Sequence, residues 1–138
     1  MPPPPDKPLS GAETLPPAEL RAIQSERLRA VVRHAYDNVP FYRARMDEAG
    51  VRPDDIRDIA DVAKLPFTVK KDFRDQYPFG MLGTPMRDIV RIHASSGTTG
   101  KPTVAASTRG DLDVWAECAA RALERAGSTP ESIVHLNI

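Results

Sequence analysis

The chain has a single cysteine, Cys118, in 138 residues, which excludes an internal disulfide and any cysteine-based metal cluster. It also lacks a net charge, because nineteen basic residues balance nineteen acidic ones. That balance supplies neither the basic field expected of a nucleic-acid binder nor the polybasic run that draws a segment to a membrane surface. No stretch approaches the ~20 apolar residues of a membrane span. Met1 is followed by Pro2 to Pro5 rather than by the basic segment and apolar run of a signal peptide. A soluble cytoplasmic protein with no nucleic-acid or membrane partner is expected. His34, His93 and His135 stand far apart and offer no local ligand spacing, so no metal site is expected within this chain.

Hydrophobic residues make up 41% of the chain, enough to build a core at this length. Seven of the fourteen prolines fall in the first seventeen residues, a composition that favours extended polyproline conformation and cannot form a core. Residues 1–16 are therefore expected to be a flexible tail. Residues 17–87 read as a helical segment. Pro17 suits a helix start, and Leu20, Ile23, Leu28, Val31 and Ala35 recur at near-helical spacing up to about Asn38, where Pro40 disfavours helix at Val39. Phe41, Tyr42 and Met46 give a second, short helix an apolar face, with Phe41 and Tyr42 read as a structural pair and Gly50 as the C-terminal cap. Pro53-Asp54-Asp55 can begin one turn, and Thr68 can cap a helix through about Gln76. Pro78, Gly80, Gly83 and Pro85 punctuate a loop.

From residue 88 the pattern changes. Asp88 to Ala94 alternates apolar and polar residues and reads as a strand, and Thr103 to Ser107 reads as a second. Thr108 can cap a helix whose buried stripe is Leu112, Trp115, Ala119, Ala122, Leu123 and Ala126, with Gly127 at its end and Cys118 in a small apolar role. Ser132 to Ile138 reads as a third, largely buried strand. Strand, loop, strand, helix, strand makes residues 88–138 the start of an incomplete α/β core, with the helix returning the chain to a parallel neighbour. The sequence stops at the edge of the sheet where ligand loops begin in open α/β folds, so the expectation is a fragment of roughly a third of a whole enzyme.

Between the first two strands lies Ser95-Ser96-Gly97-Thr98-Thr99-Gly100-Lys101-Pro102-Thr103. Five hydroxyls, two glycines and one lysine, with no acidic group, are the chemistry of a phosphate cradle: close backbone approach, hydroxyl donors and a mobile positive charge. A solvated Ser/Thr/Gly loop is the plain alternative, and the flanking strands argue against it. A Walker A loop is excluded, because Ser95 stands where its first glycine belongs and Pro102 where its magnesium-binding hydroxyl belongs.

This run resembles the phosphate-binding signature of the adenylate-forming enzymes. Within them, Arg91 to Thr103, Asn38-Val39-Pro40-Phe41-Tyr42 and Leu65-Pro66-Phe67-Thr68-Val69-Lys70 look like phenylacetate–CoA ligase, a likeness that runs from about Leu28 to the end. The resemblance implies the N-terminal part of an AMP-forming aryl acid–CoA ligase that joins phenylacetate to CoA at the expense of ATP, with AMP and diphosphate released. It implies a small-molecule acid, ATP, Mg2+ and CoA as the partners of the whole enzyme, and leaves self-association open. It places Ser95, Ser96, Gly97, Thr98, Thr99, Gly100, Lys101 and Thr103 on the ATP phosphates, with Lys101 as the charge-stabilising catalytic group. The magnesium-binding and ribose-binding acids, the mobile domain and most of the acid pocket would follow residue 138, so the chain alone is expected to be inert. Two rivals remain: a related adenylating enzyme with another acid or an acceptor such as F420, or a non-catalytic interaction domain on the same scaffold.

Overall fold

The computed structural model describes residues 11–95, 100–129, 131–133 and 135. The chain divides into two compact units, residues 16–109 and residues 110–138 taken with 1–15.

The larger unit begins with helix α1, Pro17–Asn38, and helix α2, Pro40–Glu48. Proline opens both, where its missing N–H costs nothing and its fixed φ suits the helix. Gly50, at φ 68°, ends α2 as expected. Its left-handed backbone lets the Val51 N–H donate back to the Met46 carbonyl at 2.9 Å, which satisfies one of the last helical carbonyls.

Short turns at Pro53–Asp55 and Ile59–Lys64 follow, then helix α3, Lys70–Asp75. One device starts all three. The Asp55, Asp61 and Asp72 carboxylates each reach back three residues, to the backbone N–H of Arg52 (2.8 Å), Asp58 (3.0 Å) and Val69 (2.8 Å). Each binds an otherwise orphaned donor of a first turn. This corrects the expectation at Thr68: Val69 holds the position before α3, and the side chain that closes it is Asp72.

The core of this unit is Val32, Met46 and Ile56, with Leu28, Tyr36, Val51 and Leu65 packed against it. The inward stripe of α1 is therefore Leu28, Val32 and Tyr36, spaced by four. Val31, expected inward, is 57% exposed, because adjacent helical residues point about 100° apart and only one can face the core. Alongside runs a polar row, also spaced by four. Arg21 pairs with Asp58, Ser25 Oγ accepts from the Ile59 N–H at 3.0 Å, Arg29 donates to the Arg57 carbonyl at 2.8 Å, and Arg33 pairs with Asp54. One helix face thus clasps residues 54–59 end to end. Phe41 and Tyr42 meet edge to face at 5.4 Å, as a structural pair should.

The unit closes with strands β1, Ile89–Ala94, and β2, Val104–Thr108, paired antiparallel in a two-stranded sheet.

In the second unit, helix α4 spans Arg109–Arg125 and ends at Gly127, φ 86°, with Arg125 held by Glu13 from the turn Gly11–Thr14. Its expected buried stripe is not buried. Trp115 is 55% and Leu123 45% exposed; Leu112 is half-buried, and Ala119, Ala122 and Ala126 are exposed. Cys118 is exposed as well. An amphipathic helix is buried only where another surface covers it, and most of this face stands exposed. Ser132, Ile133 and His135 are not in a strand; the rest of the expected third strand, Val134 and residues 136–138, lies outside the described residues, as do residues 1–10 of the expected tail. No helix among the described residues is long and apolar enough to cross a membrane.

Candidate functional site

The β1–β2 pairing sets the site. Ala94 faces Val104, His93 faces Ala105 and Ile92 faces Ala106, so residues 95–103 form the connection of a hairpin, the placement expected from the flanking patterns. β-branched Ile89, Val90, Ile92 and Val104 favour the extended backbone on both sides.

Ser95 and Thr103 close the base of the loop. The Ser95 N–H donates to the Thr103 carbonyl at 3.0 Å, and the Thr103 N–H donates to Ser95 Oγ at 2.9 Å. Ser95 Oγ is used there as an acceptor, so its own proton can still be donated outward. The Thr103 hydroxyl is shut off from solvent and has no hydrogen-bond partner among the described residues, which is a costly state for a buried polar group. Gly100, at φ 121°, takes a backbone conformation that side-chain-bearing residues rarely adopt. Beside it Lys101 is exposed and makes no ion pair among the described residues.

The arrangement therefore brings together Ser95, Gly100, Lys101 and Thr103 around the mouth of one hairpin. Ser96, Gly97, Thr98 and Thr99, the other expected phosphate ligands, lie outside the described residues. A two-stranded base, a loop without acidic residues and an ammonium group that makes no ion pair among the described residues can accept an anion. No group of three or more acidic, histidine or cysteine side chains suited to a metal ion occurs among the described residues.

Sequence reasoning missed one polar assembly. Arg29, Arg33 and Arg57 line a cavity of about 470 Å³ together with Asp54. Its signal was present as arginines four apart on α1, but the partner segment could not be seen without the fold.

No family model matches the chain. Curated relatives do. The phenylacetate–coenzyme A ligase of Escherichia coli K12 is 51% identical over 128 residues, covering 93% of this chain and 29% of the relative. That of Aromatoleum evansii is 54% identical over 118 residues, covering 86% of this chain and 27% of the relative. Among solved structures, a 2-hydroxyisobutyryl-CoA ligase in complex with 2-HIB-AMP and CoA superimposes with a TM-score of 0.78 at 34% identity, over 86% of this chain and 26% of that one. The chain spans less than a third of the length of the relatives it matches. Over most of its own length it is a close sequence relative of phenylacetate–CoA ligases, and it folds as the matching part of a CoA ligase does.

Proposed function

We propose that the chain is the part of an AMP-forming aryl acid–CoA ligase that holds the ATP phosphates, and that the acid is phenylacetate. The observation that carries this reading is the hairpin loop 95–103, hydroxyl- and glycine-rich, free of acidic residues, and clasped by Ser95 and Thr103, in a chain 50–54% identical to phenylacetate–CoA ligases.

The reaction explains why such a loop is needed. Attack of a carboxylate on the α-phosphorus of ATP brings two anions together, so catalysis must offset charge and hold the reactants in line. In this reading Ser95, Ser96, Thr98, Thr99 and Thr103, with the backbone at Gly97 and Gly100, hold the β- and γ-phosphates. Lys101 offsets the charge that leaves as diphosphate. The buried Thr103 hydroxyl supports this role, since a phosphate oxygen would supply a partner that the described residues do not. The acyl group then passes from AMP to the CoA thiol. In this reading Mg2+ would be held by residues outside the described set.

The test is diphosphate release by a polypeptide of the relatives' full length carrying this chain, across a panel of aryl and aliphatic acids, with and without CoA. Phenylacetate-dependent release is expected, and Lys101→Ala should slow it about 10- to 150-fold, the worth of one charge-assisted hydrogen bond realised in the transition state. Unchanged adenylation kinetics in that variant would remove Lys101 from the mechanism. Release with another acid but not phenylacetate would move the reading to a different adenylating enzyme.

A further inference from the structure

The cavity beside α1 is separate from the hairpin loop and has its own chemistry. Arg29, Arg33 and Arg57 line about 470 Å³ of open space, with Asp54 the one carboxylate among the lining residues. Three guanidinium groups against one carboxylate leave two positive charges uncompensated within the cavity. The other acids nearby are committed elsewhere. Asp58 is paired with Arg21, Asp55 accepts from the Arg52 N–H, and Asp61 accepts from the Arg57 and Asp58 N–H groups and pairs with Lys64 at 2.9 Å.

Two of the three guanidinium groups are held by a partner. Arg29 Nη1 is fixed on the Arg57 carbonyl at 2.8 Å, which aligns one wall. Arg33 is occupied by Asp54, whose side chain is 85% exposed and can swing into water at little cost. Arg57 makes no ion pair among the described residues. Ile56, 1% exposed, forms an apolar floor with Ala30. A planar fork of N–H donors matches phosphate oxygens two at a time, and three forks around one concavity exceed what a lone carboxylate requires. The volume falls in the range of small-molecule sites, roughly 300–1,000 Å³.

We propose that Arg29, Arg33 and Arg57 form a binding site for a small phosphate-bearing anion, in which the ligand's phosphate takes the place of the Asp54 carboxylate on Arg33. Asp54 is then a built-in competitor, which fixes the sign of its effect.

The test is a titration of the chain, in a Lys101→Ala background that silences the hairpin loop, with inorganic phosphate and with a nucleoside monophosphate, followed through the backbone amides of Ala30, Ile56 and Arg57. Saturable shifts with either probe are expected. Arg57→Gln, which breaks no ion pair among the described residues, should weaken binding about fivefold or more, and Asp54→Asn should strengthen it by a similar factor. Loss of binding in Asp54→Asn, unchanged affinity in Arg57→Gln, or identical shifts from sodium chloride at matched ionic strength would each overturn the proposal.

Discussion

Ser95 and Thr103 hold each other twice, through the Ser95 N–H to the Thr103 carbonyl at 3.0 Å and through the Thr103 N–H to Ser95 Oγ at 2.9 Å. The first bond continues the β1–β2 ladder one step beyond Ala94 and Val104. The second depends on a serine hydroxyl, so the loop's closure is written partly in a side chain.

Ser95→Ala should therefore loosen the loop and leave the hairpin. Exchange of the Thr103 amide with solvent should accelerate by about 2- to 12-fold, the equivalent of roughly 0.5–1.5 kcal/mol for one neutral hydrogen bond. The amides of His93 and Ala105, which belong to the ladder, should exchange as before. Equal acceleration at all three would mean that the hydroxyl supports the hairpin itself.

Two glycines should respond differently to alanine. At Gly100 an added Cβ meets nothing within 4 Å among the described residues, so the cost expected is backbone strain at φ 121°, of about 1–3 kcal/mol. At Gly83 the new atom would stand 2.9 Å from His34 Nε2 and 3.4 Å from Val39 Cγ2, so the His34 ring or the loop must shift at the C-terminal end of α1. Amide spectra should show changes confined to the hairpin loop for Gly100→Ala, and changes reaching His34 and Val39 for Gly83→Ala.

Ile56→Ala empties the centre of the larger unit, where Ile56 is 1% exposed. A loss of about 2–5 kcal/mol in denaturant unfolding is expected, the sum of lost transfer energy and an unfilled cavity. Phe67→Ala, at a site 89% exposed, should change stability by less than about 0.5 kcal/mol.

Asp61 is the acid-sensitive point. Its hydrogen bond to Lys64, aided by the Arg57 and Asp58 N–H groups, holds its carboxyl well below the ordinary value of 3.8. A depressed folded-state value stabilises the fold fully above the unfolded value, and that contribution is lost as pH falls through 3.8 towards the folded one. The stability gap between the native chain and Asp61→Asn should thus be largest at pH 7 and 5 and should narrow at pH 3 and 2. Urea midpoints at those four pH values measure it; a constant gap would show that the carboxylate's charge is not what matters.

Local signals were legible where one residue type controls one backbone choice. Pro17 marked a helix start, Pro40 the end of that helix, Gly50 a second helix end, and the Gly- and Ser/Thr-rich run between two β patterns a hairpin loop. The three aspartates that reach back to open Pro53–Asp55, Ile59–Lys64 and α3 are equally local, and at α3 the expected cap Thr68 gives way to Asp72.

The sequence by itself determined the helical first half, the hairpin and the hydroxyl- and glycine-rich, acid-free composition of residues 95–103, because propensity, capping and side-chain type act over a few residues. Only the tertiary structure decided which side of α1 faces inward, that Trp115 and Cys118 stand exposed, and that Arg29, Arg33 and Arg57 meet at one cavity. Burial and charge clustering depend on what a distant segment brings alongside, and periodicity along one helix carries no record of its partner.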